Sequence, residues 1–172
     1  MNTFIAPPNA APLADDAFLS AQGRFGRRSY LAWNVVVTLL GILAMIVSII
    51  PLRLSPNNSS IAQLPESSLW VFASISVLIS ATVCYFFFIF SIRRLHDLNR
   101  SGWLSLCYLL PIINVIFALY LLCVAGQPED NPYGQPRPAK MWESIVSLVY
   151  VIVLAIGIVL SIIALINQPS IP

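Results

Sequence analysis

Arg93-Arg94-Leu95-His96-Asp97-Leu98-Asn99-Arg100-Ser101-Gly102-Trp103 sets three arginines, the only histidine and an aspartate between two long apolar runs. Those runs, residues 69–92 and 103–125, are each long enough to cross a bilayer as a helix. At 1.5 Å of rise per residue, about 20 residues cover roughly 30 Å of hydrocarbon. In a chain only 9 % charged, so dense a polar island marks where recognition or chemistry would be sited.

Composition sets the class. Of 172 residues 58 % are hydrophobic, and the mean hydropathy is +0.83. A soluble domain is usually about 45–50 % apolar and about 25 % charged, so the expectation is an all-α integral membrane protein. A formal charge of +2 excludes a nucleic-acid footprint, which needs basic residues clustered on one face of a folded domain. Cys84, Cys107 and Cys123 fall inside apolar runs without neighbouring ligands, so they read as small buried hydrophobes. No metal site is expected, because metals need several convergent donors. No cofactor is expected either.

Outward from the island toward the N-terminus, residues 1–22 carry Pro7, Pro8, Pro12, Asp15 and Asp16 and no apolar core. They read as a flexible tail and not as a secretory signal, so the first span must direct insertion. Gly23-Arg24-Phe25-Gly26-Arg27-Arg28-Ser29-Tyr30 lacks the GxGxxG pattern of a phosphate loop. Arg24, Arg27 and Arg28 read as a juxtamembrane anchor, with Tyr30 and Trp33 in the aromatic belt. The same arginines suit anionic lipid phosphate, at about 1 kcal/mol per basic side chain near the surface. Residues 30–52 form the expected first span. The Pro/Asn/Ser loop 55–68 follows, and its Asn57-Asn58-Ser59-Ser60 run carries no weight as a glycosylation signal. In the second span, Ala73, Ser76, Ser80 and Cys84 recur at three- and four-residue steps. Small residues on one stripe let a neighbouring backbone approach, so this stripe is the expected packing face.

Within the island, Arg93 and Arg94 suit the negative end of a helix dipole. Asp97 is spaced to meet Arg93 or Arg100 if the helix continues that far. His96 and Asp97 are adjacent, hence about 100° apart on a helix, and form no dyad. Asn99 or Ser101 is the expected cap of the next helix.

The third run holds Pro111 and Asn114. Proline removes a backbone hydrogen bond and kinks a helix, so the favoured reading is a kinked third span in a bundle of four transmembrane helices. The alternative is a re-entrant pair of half-helices turning near 111–114. The basic residues favour that alternative, because a hairpin leaves only Arg53 on the outer side. The opposing consideration is that short half-helices put non-helical backbone into the membrane. A Pro/Gly-rich connector, 126–138, leads to the last span, Met141–Ile166, opened by Trp142.

Gly23, Arg24, Gly26, Arg27, Tyr30 and Trp33 resemble the opening of a family of small bacterial inner-membrane proteins, the domain of unknown function 805. The resemblance is stronger in Arg94-Leu95-His96-Asp97 running on through Asn99-Arg100-Ser101-Gly102-Trp103. Leu110-Pro111, Gly126, Asn131, Tyr133, Gly134 and Pro136 extend it. Pro132 and Ala125 depart from the pattern. The resemblance divides the chain into tail 1–22, family core 23–138 and an added helix 139–172. It implies the bacterial inner membrane and supplies no reaction.

The expected function is a non-catalytic membrane component with a cytoplasmic N-terminus. It would bind anionic phospholipid, or a membrane or cytoplasmic protein, through Arg24, Arg27, Arg28, Arg93, Arg94, His96, Asp97 and Arg100. A homo-oligomer is left open. The alternatives are a small-solute transporter or channel subunit, which lacks ionisable groups in mid-span, and a lipid-phosphate enzyme resting on His96 alone.

Overall fold

A computed structural model describes residues 20–53 and 65–167. Most of the tail 1–22 and of the loop 55–68, including Asn57 to Ser60, lies outside the described residues.

The described residues form α1 (Arg27–Arg53), α2 (Glu66–Asp97), a 3-10 helix (Gly102–Leu109), α3 (Ile113–Cys123) and α4 (Met141–Ile166). Three of these are long and apolar enough to cross a membrane: Arg27–Ile50 within α1, all of α2 and all of α4. The third apolar run does not form a fourth long helix. It breaks into the 3-10 helix and α3, and α3 has only 11 residues.

The two arms match in length. Eight residues at the 3-10 rise and eleven at the α rise each extend about 16 Å, half the hydrocarbon thickness. Pro111 therefore turns the chain back where a kink was expected. At the turn Ile112 holds φ 71° and ψ −50°, and the Ile113 amide donates to the Pro111 carbonyl at 2.8 Å. This is the positive-φ γ-turn, a strained form for any L-residue and more so for a β-branched one. At the tip Leu110 N donates to Cys107 O and Asn114 N to Leu110 O, while Pro111 has no N–H. This pairing supplies partners for part of the irregular backbone.

Chain direction places both ends of this hairpin beside the start of α1, the end of α2 and the start of α4. The core gathers there: Phe25, Tyr30, Val37, Ile89, Phe90, Leu95, Leu98, Phe117 and Leu121. The far halves of α1, α2 and α4 present Leu, Ile and Val outward, as lipid-facing surfaces do.

The small-residue stripe is not the packing face. Ala73, Ser80 and Cys84 are exposed, and only Ser76 turns inward. The half-buried face of α2 runs instead through Phe72, Ser76, Ile79, Val83 and Phe86. The small residue at this contact comes from α1: a Cβ on Gly41 would stand 2.6 Å from Val83 Cγ2. Large-into-small packing of α2 on α1 reverses the assignment made from α2 alone. Cys84 and Cys123 are exposed and Cys107 is half-buried, so only the last approaches the expected burial.

Candidate functional site

α2 ends in a left-handed cap. Asn99 takes φ 55°, its amide donates to His96 O at 3.0 Å, and Arg100 N donates to Leu95 O at 2.9 Å. These are the paired bonds of a Schellman motif, with asparagine where glycine is commoner. Ser101 then caps the 3-10 helix by accepting from Trp103 N. Distant segments also bond to the carbonyls of the last turns of α2. Phe25 N donates to Arg93 O at 3.0 Å, Gln127 N to Asp97 O at 2.9 Å, and Asn131 Nδ2 to His96 O at 2.8 Å.

Over this helix end lies a buried ionic clamp. Asp97 Oδ1 accepts from Arg24 Nε at 3.2 Å and Nη2 at 3.1 Å, and its Oδ2 accepts from Arg94 Nη1. Both arginines are 0 % exposed and Asp97 only 5 %. Each guanidinium also ties backbone carbonyls. Arg24 reaches Glu129 O at 2.8 Å, Gly134 O at 3.1 Å and Gln127 O. Arg94 reaches Leu121 O at 2.7 Å, Phe25 O at 3.4 Å and Val124 O. One carboxylate thus joins the approach to α1, the end of α2, the end of α3 and the connector. Gly126 is forced by it, because a Cβ there would lie 1.9 Å from Asp97 Oδ2.

A second clamp holds α4. Glu143, fully buried, accepts from Ser29 Oγ at 2.8 Å and Trp33 Nε1 at 2.9 Å on α1. Arg137 Nη2 donates to it at 3.0 Å, and Lys140 N reaches back at 2.9 Å, the half of a capping box that shields the helix start. Arg93 and Arg137 both lie over the Phe25 ring, at 3.8 and 5.3 Å from its centroid.

These contacts divide the basic residues that sequence grouped together. Arg24, Arg93 and Arg94 are buried with Asp97, and Asp97 pairs with Arg24 and Arg94. Arg27, Arg28 and Arg100 are exposed, with Arg27 Nη1 donating to Cys123 O at 3.3 Å. Tyr30 and Trp33 are not belt residues. Tyr30 shares a 2.8 Å hydrogen bond with the Tyr108 hydroxyl inside the fold, and Trp33 serves Glu143. Sequence reading passed over Glu143, Ser29 and Arg137. The available signal was a carboxylate at the third position of a long apolar helix, where it has no reason to sit unless paired. Among the described residues, no group of three or more His, Cys, Asp or Glu converges as metal ligands do.

His96 lies outside both clamps. Its ring stacks on Tyr133, with centroids 3.9 Å apart and planes 5° from parallel. Tyr133 is held by Asn131, whose Oδ1 accepts from Tyr133 N at 2.9 Å. His96 and Tyr133 form one wall of a cleft of about 510 Å³ between α2 and the 3-10 helix.

Long apolar helices, a short apolar hairpin and ionic clamps at one end define a multi-span helical membrane protein. The chain belongs to the protein family of unknown function DUF805, whose model matches residues 18–135. Inner membrane protein YhaH of Escherichia coli (strain K12) is 44 % identical over 46 residues, 27 % of this chain and 37 % of that protein. The match therefore spans little more than a third of YhaH. Inner membrane protein YhaI of the same strain is 27 % identical over 118 residues, 68 % of this chain and 85 % of that protein. No solved structure matches. Arg137, Glu143 and the whole of α4 lie beyond the family segment.

Proposed function

We propose that this is a non-catalytic bacterial inner-membrane protein with three spans and a re-entrant hairpin. Its N-terminus and its connector face the cytoplasm, and Arg27, Arg28 and Arg100 hold anionic phospholipid at that surface. The observation that carries the reading is charge asymmetry. Arg24, Arg27, Arg28, Arg93, Arg94, Arg100, Arg137 and Lys140 all gather at the hairpin's open end, leaving Arg53 alone at the other. A bias of that size is what the positive-inside rule associates with the cytoplasmic side. The names of the two relatives support the location. Burial of Arg24, Arg93 and Arg94 removes them as headgroup ligands and leaves the three exposed arginines for that role.

The test is lipid retention by protein purified in a mild detergent. Replacing Arg27, Arg28 and Arg100 by Gln removes about 3 kcal/mol of surface attraction, roughly a hundredfold in affinity for anionic lipid. Unchanged retention by a folded triple variant would overturn the assignment. Cysteines placed singly at Tyr133 and Asn167 test the orientation: the first should label only from the cytoplasm and the second only from outside.

A further inference from the structure

The cleft beside His96 has a polarity gradient. Phe88, Ile92 and His96 recur at four-residue steps on one face of α2, so they mark out about 12 Å along the helix. Apolar Phe88 and Ile92 lie toward the membrane interior, and His96 sits at the helix end. The facing wall repeats the order, with Ser101 at the start of the 3-10 helix and Leu106 deeper. Tyr133 closes the polar end from the connector, and Trp103, 80 % exposed, stands at the rim. Among the described residues no carboxylate lines the cleft, and exposed Arg100 adjoins Ser101 in the chain.

An amphiphile lying along the membrane normal needs this arrangement, with donors at the interface over an apolar trough. We propose that the cleft is a binding site for a single anionic phospholipid. Its phosphate meets His96, Ser101 and Arg100, and one acyl chain runs along Phe88, Ile92 and Leu106. The His96 ring packs into the cleft wall between Tyr133 and Gly102, with the Gly23 backbone as a hydrogen-bond partner. Neighbouring Asp97 is fully engaged by Arg24 and Arg94, and the His96 carbonyl, not its ring, serves as the anchor for Asn131. Stacking on Tyr133 fixes the imidazole as part of the cleft wall, and close packing keeps it in place, since a Cβ on Gly102 would lie 3.4 Å from His96 Nε2.

This proposal rests on the cytoplasmic, lipid-contacting face proposed above, but it concerns one bound molecule in a formed cleft and not a diffuse surface layer. The experiment is native mass spectrometry of the full chain, released from micelles doped equally with phosphatidylglycerol and phosphatidylethanolamine. The expected result is one retained phosphatidylglycerol per chain. H96A/Y133A should weaken that retention about tenfold, as loss of a charge-assisted hydrogen bond does. L106W fills the trough with His96 and Tyr133 intact, and it should displace the same lipid even if H96A/Y133A folds poorly. Retention by L106W equal to that of the unaltered chain would overturn the proposal. So would no stoichiometric lipid, or equal retention of phosphatidylethanolamine. Loss in R27Q/R28Q with no loss in L106W would overturn the cleft while leaving the surface reading standing.

Discussion

Replacing Asp97 by Asn tests the clamp most directly. The side chain keeps its shape and one acceptor oxygen but loses its charge. Arg24 and Arg94 are left buried, with six backbone carbonyls between them and no counter-ion. Removing one partner of a buried ion pair costs about 3–5 kcal/mol, because the remaining charge is desolvated without compensation. The carbonyl dipoles soften that loss, so the lower end, about 3 kcal/mol, is the expected value. It corresponds to roughly a hundredfold fall in the folded-to-unfolded ratio. Far-ultraviolet circular dichroism during titration of micellar protein with a denaturing detergent measures it. Limited proteolysis adds a local readout. The connector is tied to Arg24 through Gln127, Glu129 and Gly134, so cleavage within 126–134 should rise before the spans unfold. A loss below about 1 kcal/mol, with the connector still protected, would mean that water reaches these guanidiniums and that the clamp contributes no more than a surface pair.

Three further outcomes follow from the same geometry. Gly126→Ala should cost about 1–3 kcal/mol by pushing Asp97 aside, and noticeably less in the Asp97→Asn background, because mutations at contacting positions do not add; a double-mutant cycle by detergent titration reads the difference. Glu143→Gln should lower stability by about 3 kcal/mol and speed proteolytic release of α4, since Arg137 loses its counter-ion and Trp33 its charged acceptor; a shift in tryptophan emission reports the local change. Ile112→Gly should raise stability by about 1 kcal/mol in the same titration, because relief of the positive φ exceeds the entropy that glycine adds to the unfolded chain.

The membrane class, the three long spans and the location of the polar island were legible because hydropathy over twenty-residue windows depends only on local composition. The hairpin was half legible. Pro111 and the distribution of basic residues both pointed to it, but the requirement for satisfied backbone argued against it. The turn itself is made by a γ-turn at Ile112, a backbone conformation that isoleucine disfavours and sequence therefore hides. The role of the arginines was not legible. In sequence Arg94 and Arg24 stand 70 positions apart, and nothing local tells a lipid-facing arginine from one folded onto a buried aspartate. Gly126 was quoted only as part of the family resemblance, because the carboxylate that requires its missing Cβ belongs to another segment. Glu143 was the missed clue: an acid opening an apolar helix signals a partner, and that partner is the first turns of α1.

The motif can now be divided by what each residue does. Arg94 and Asp97 form the clamp, Leu95 is core, Asn99 supplies the left-handed cap, Ser101 caps the 3-10 helix, and Gly102 permits close approach to Ile92. All of that is architecture: it ends α2, reverses the chain and starts the hairpin. The side chains of Arg100 and Trp103 are not needed for any of it and stand outward, while His96 ties the connector through its carbonyl and its stack on Tyr133 and also borders the cleft. A polar island used only to shape a helix end would have no reason to present an imidazole and a guanidinium around an open cleft at the membrane boundary. The residues left over by folding are therefore where binding is to be sought. Mutating the clamp should abolish function only by unfolding the protein. Mutating His96 or Arg100 should alter function in a protein that still folds.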